Sequence, residues 1–178
     1  MNALMRVQDV RNKFAQYLNT ECAYLTNKSA NNPTVVVVME HMQDMLCAML
    51  FLQVITQNEA NSIGEMIFTE GPQHNITITL SEVTSGHFGL NHEWNLQETD
   101  ETIIKKYWRA RINAFEAKLV RAYKSTHDVC QKHDILDIII AVTKSGRLTG
   151  ALTPSECKQI IQCVHKTRQQ LSGGTGEG

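Results

Sequence analysis

Apolar residues return every three or four positions along the first part of the chain: Leu4, Val7, Val10, Phe14, Tyr17, Leu18, Cys22 and Leu25. That spacing lays one stripe along a long amphipathic helix and predicts it over 3–27. A polar stretch, 27–32, follows. Pro33 suits a helix start, where its missing N–H is not needed. Val35, Val36, Val37 and Val38 favour a strand locally. Met39, Met42, Leu46, Met49 and Leu50 then continue at helical spacing, so the pattern over 34–55 predicts a second, deeply buried helix. Its methionines suit core filling more than an open groove. Thr56 and Glu59 form a capping box and start a third helix over 58–69, with Ile63, Met66 and Ile67 on one face. Gly71-Pro72 stops it.

The period then changes. Ile76, Ile78 and Leu80 alternate with Asn75, Thr77 and Thr79. Phe88, Leu90, His92 and Trp94 alternate again beyond a turn at Thr84-Ser85-Gly86. This predicts a β-hairpin over 75–95, which needs helices or a second subunit to pack on.

Helical spacing resumes after Thr99, Asp100 and Glu101, whose acids suit the positive end of a helix dipole. Ile104, Trp108, Ile112, Phe115, Leu119, Ala122 and Tyr123 form the apolar arc of a helix over 100–125. Residues 125–132 read as a polar bend. Ile135, Leu136, Ile138, Ile139, Ile140 and Val142 read as a short buried helix over 134–144, ended by Ser145-Gly146. The isoleucine run leaves a strand open there. Thr153, Pro154 and Glu156 mark the N-cap, N1 and N3 positions of a last helix. It runs to 171 with Ile160, Ile161, Val164 and Leu171 inward. Residues 172–178 read as a disordered tail.

The predicted architecture is mainly α: about six helices in two helical units with one small β-hairpin. The units are an acidic one over 1–71, a hairpin connector over 72–98 and a basic one over 99–171. In 178 residues, 42% hydrophobic and 20% charged positions supply a core and exclude wholesale disorder.

The net charge of −1 hides a partition. Residues 1–100 carry four Lys and Arg against eleven Asp and Glu, a net −7. Residues 101–178 carry thirteen against seven, a net +6. Such asymmetry speaks of partners rather than of fold. The helix over 100–125 concentrates it in Lys105, Lys106, Arg109, Arg111, Lys118, Arg121 and Lys124, with Glu116 the only acid between 104 and 124. At about 100° per residue these cations cover an arc of roughly 240°, beside the apolar one. Arg forks onto phosphate and Lys adds a mobile point charge. Tyr107 offers a stacking surface to a base. A plain solvated face is the competing reading, but solvated helix faces usually interleave acids for i, i+4 pairs.

Other chemistry is sparse. His127, Cys130 and His133 suggest zinc, but positions six apart on a helix diverge by about 120° and no paired ligand spacing completes a tetrahedron. His41 and Asp44 lie close on one helix near Cys47, with no nucleophile assigned to them. No phosphate loop, dinucleotide fingerprint or hydrolase elbow occurs in the sequence. No enzyme activity, cofactor, metal or small-molecule substrate is therefore expected. Five cysteines and a charged, discontinuous pattern over 1–13 point to reduced thiols and a cytoplasmic or nuclear location. The apolar run over 45–52 is too short for a membrane span of about 20 residues.

The expected function is a non-catalytic, self-associating protein that holds a nucleic-acid backbone, RNA or DNA, on its basic C-terminal face, without reading sequence. A viral-type coat, packaging or sequestering protein fits by analogy of size and charge. Phe88, Leu90 and Trp94 are the expected contacts between copies. The alternative is an α-helical protein–protein adaptor or regulator that binds no nucleic acid.

Overall fold

A computed structural model of the chain describes residues 3–26, 28, 31–69, 76–82 and 100–174. They form α1 (Ala3–Leu25), α2 (Pro33–Phe51), α3 (Gln57–Gly64), α4 (Glu101–Ser125), α5 (Val129–Thr149) and α6 (Pro154–Gly174). A π-helical turn, Glu65–Thr69, continues α3. The mainly-α class holds. The chain divides into two compact units, Met1–Ile104 and Lys105–Gly178.

In the first unit the stripe of α1 is the core. Val7, Val10, Phe14, Leu18, Cys22 and Leu25 are all buried, as are Met42, Met45, Ala48 and Met49 of α2. The Asn32 side chain caps α2 by accepting from the Thr34 N–H, with Pro33 in the first turn. By length and composition α2 could cross a membrane, although 33% of that apolar window is buried within the unit. It carries two charges, Glu40 and Asp44, both before the longest unbroken apolar run, 45–52.

The end of α2 is a Schellman turn: the Val54 N–H bonds to Met49 O and the Gln53 N–H to Leu50 O. Its left-handed residue is Gln53, φ 60°, where glycine is the usual occupant. The turn leaves the Val54 carbonyl facing α1, and there it meets Arg11.

Arg11 is fully buried. Its guanidinium donates to both carboxylate oxygens of Glu59, at 2.9 and 2.6 Å, and to the carbonyls of Val54 and Ser81 at 2.9 and 2.8 Å. Glu59 also completes the capping box of α3, accepting from the Thr56 N–H while its own N–H donates to the Thr56 hydroxyl. One arginine thus ties α1 to the α2–α3 turn, to α3 and to the segment near 81.

That segment corrects the expected hairpin. Among the described residues there is no strand, and residues 76–82 run without helix or ladder. The period-2 pattern is real: Ile78 is buried while Thr77 and Thr79 face outward. Its partner is a helix side chain, not a strand. The Asn19 amide donates to Ile78 O at 2.9 Å and accepts from the Ile78 N–H at 2.6 Å. A side-chain amide carries the same donor and acceptor as a neighbouring strand, so α1 substitutes for one. The rest of the expected hairpin, with Phe88, Leu90 and Trp94, lies outside the described residues, as do Gly71 and Pro72.

The second unit is a three-helix bundle. Asp137 pairs with Arg168 and the Cys157 thiol meets Thr143 O, so α5 and α6 run antiparallel. Glu116 meets Thr143, whereas Arg109 pairs with Glu156, so α6 returns parallel to α4. Trp108, Ile112, Phe115, Leu119, Leu136, Ile139, Val142 and Val164 are buried. Helix α5 is longer than its sequence suggests at both ends. Asp128 caps it, accepting from the Cys130 and Gln131 N–H groups, so the bend is only 126–128. Ser145 and Gly146 do not stop it. Gly146 lies inside, where a Cβ would sit 2.5 Å from Leu152 Cδ1 and 3.3 Å from Ile112 Cδ1. It is there for closeness, and the helix ends instead on Gly150, φ 77°. Helix α6 opens with the expected capping box between Thr153 and Glu156 and continues past 171 to Gly174, through part of the expected tail.

Candidate functional site

The cations of α4 are not equivalent. Lys105, Lys106, Arg109, Lys118, Arg121 and Lys124 are exposed, and Arg111 is half-buried. Arg111 lies 5.7 Å over the Tyr107 ring, a cation–π contact. Arg109 forms a fork with Glu156, 2.6 Å for its shorter bond. That carboxyl also feels some desolvation, which raises it, but the Thr153 N–H and Arg109 outweigh this and hold it below its ordinary value. Arg109 and Arg111 are therefore partly engaged in the bundle. Lys106, Lys118 and Arg121 fall, with Lys124, in the outward arc of about 120° opposite the apolar stripe, and the first three span about 22 Å along the axis.

Cations of α5 and α6 add to the positive field: Lys144, Arg147, Lys158 and Lys166 are exposed. Lys132 stands 4.8 Å over the Tyr123 ring. Glu116 does not interrupt the cationic arc. It turns toward α5, its carboxyl 3.4 Å from the Thr143 hydroxyl, and burial pushes it above its ordinary value. Helix α4 thus contributes no acid of its own between 104 and 124 to this surface other than the inward-turned Glu116, while Glu156 of α6 reaches Arg109.

The remaining sequence candidates take simple places. Among the described residues no group of three or more His, Cys, Asp or Glu side chains gathers to hold a metal ion. Cys130 is exposed at the start of α5. His41 packs edge-on against Tyr17, 6.2 Å between ring centres. Burial and then Asp44 push the Cys47 thiol up, the opposite direction to an activated thiolate.

Sequence reasoning missed Arg11, which governs the first unit. The signal was present: Arg11 lies within the stripe of Val7, Phe14 and Leu18, where a lone charge needs a buried partner. No family model, no curated protein and no solved structure matches the chain.

Proposed function

We propose that the chain is a non-catalytic protein of the cytoplasm or nucleus that binds nucleic-acid backbone along α4, with the charges of α5 and α6 in support. The observation that carries this reading is the outward arc of Lys106, Lys118 and Arg121 on a helix of 25 residues whose one acid between 104 and 124, Glu116, turns toward α5. Such an arc suits phosphates of any sequence, because it supplies charge and offers no base-reading element. The net charges of the two halves, −7 and +6, also favour association between copies by head-to-tail neutralisation. Coating, packaging or sequestering a nucleic acid is the role that this combination suits.

Anisotropy of labelled single- and double-stranded RNA and DNA at about 50 mM salt, where phosphate contacts are strongest, tests the reading. Binding is expected, weakening steeply with salt. The triple variant Lys106→Glu, Lys118→Glu, Arg121→Glu should lose at least tenfold in affinity and show a shallower salt slope, by about 2–3, with an unchanged helical spectrum. Absence of binding by the parent chain at low salt overturns it. The adaptor reading then takes its place, supported by the exposed apolar residues Tyr24, Val36 and Val37, the last 63% exposed.

A further inference from the structure

Between α4, α5 and α6 the second unit keeps an open groove of about 570 Å³. That volume lies within the range of about 300–1,000 Å³ usual for small-molecule sites. Its walls are mostly apolar, with Val120, Tyr123, Leu136, Ile139, Ile160 and Val164, and Gln159 and Thr167 add polar groups on the α6 side. The groove is separate from the outward arc of Lys106, Lys118 and Arg121, none of which lines it.

Among these apolar walls stands one acid, Glu116. Among the described residues its hydrogen-bond partner is the Thr143 hydroxyl at 3.4 Å. That hydroxyl has a single hydrogen and also lies 2.8 Å from Ile139 O, a shorter and better bond. The carboxyl is therefore left with acceptor capacity facing the groove. Burial disfavours its ionised form. An apolar molecule laid in the groove would strip more water from this carboxylate and return nothing for it. A molecule that brings a donor, above all a cationic one, would answer it.

We propose that this groove is a binding site for a hydrophobic amine: an aromatic or aliphatic body against the α5 and α6 walls, and an ammonium group hydrogen-bonded to Glu116. Lys124 also lines the groove, so an ammonium group is held only where the Glu116 carboxylate outweighs that like charge. The site does not depend on the nucleic-acid reading, and its test does not use nucleic acid.

Cys163 lines the groove and is exposed, so it reports occupancy. Cys47 and Cys130 are exposed but do not line it, and they serve as internal controls. The full chain is alkylated with iodoacetamide at about pH 8, and each cysteine is followed by peptide mass spectrometry. Naphthylmethylamine, naphthylmethanol and naphthylacetate are titrated in parallel. The amine should slow Cys163 several-fold, leave Cys47 and Cys130 unchanged and act at about tenfold lower concentration than the alcohol. Glu116→Gln should bring the amine level with the alcohol, and Ile160→Trp, which fills the groove, should abolish protection by both. Three results overturn the proposal: no selective protection of Cys163 by the amine, the alcohol or the acetate protecting as well as the amine, or Cys163 shielded without ligand in proportion to protein concentration. The last would mean that a second copy covers the groove.

Discussion

A fully buried guanidinium such as Arg11 is tolerable because both of its terminal nitrogens are answered, although its Nε is left without a partner among the described residues. Glu59 takes the fork, and the Val54 and Ser81 carbonyls take further hydrogens. Removing one member of such a pair leaves the other charged and desolvated, so Arg11→Met should cost about 3–5 kcal/mol. Arg11→Lys should cost nearly as much, since a point charge cannot reproduce the fork. Arg11→Met with Glu59→Gln should be less harmful than the sum of the two singles, and urea denaturation of the four proteins reads this coupling. Glu116 gives a second test, of opposite sign. Burial raises its folded-state pKa, so the folded chain holds the proton more tightly than the unfolded one. The stability this confers is present below the ordinary carboxylate range and is lost as pH rises through the raised value. Glu116→Gln should therefore match the parent near pH ~4 and melt higher at pH ~7, as differential scanning fluorimetry across that range would show.

At the scale of elements, local chemistry and packing compete for the same residues. Both capping boxes, Thr56 with Glu59 and Thr153 with Glu156, form as their spacing requires. They are short-range devices, complete within four residues, and hence legible without the fold. Gly146 is the contrary case. As a local signal it ends a helix; in the bundle it lets the Leu152 side chain close over α5. Gly146→Ala should gain helix propensity yet lose stability overall, by about 1–2 kcal/mol, because Leu152 and Ile112 must move. A Tm equal to or above that of the parent would show that this corner repacks freely. The alternation over 76–80 was equally legible, but its partner was not: a strand pattern says which residues turn inward, and Asn19 lies nearly sixty positions away. The charge arc of α4 was visible in full, whereas the engagement of Arg109 with Glu156 and of Arg111 with Tyr107 depends on tertiary neighbours.

For the whole molecule the division into two units makes a physical claim. Each has its own buried apolar set, and the hydrogen bonds described for Arg11, Asn19, Arg109 and Arg168 all close within one unit. A fragment of residues 100–178 should accordingly fold alone, with strongly helical circular dichroism and one cooperative melt. It should also retain the salt-dependent binding of the intact chain, since it keeps every cation of α4. A fragment that is helical but unfolds without cooperativity would show that the second bundle leans on the first unit. The groove beside Glu116 was invisible in the sequence, where the same glutamate read only as the one exception in a basic run.

The two anchors on residues 76–82 have a consequence for what this stretch can become. Asn19 and Arg11 stand eight residues apart on α1, about 12 Å along its axis, and they grip Ile78 and Ser81, which an extended chain separates by about 10 Å. At Ser81, and in both bonds at Ile78, the grip is on the main chain. The helix therefore works as a ruler that checks length and, outside the buried Ile78, is blind to lettering. Thr77 and Thr79 are free to drift to almost any residue, whereas a single codon inserted or deleted between Ile78 and Ser81 would let only one anchor close.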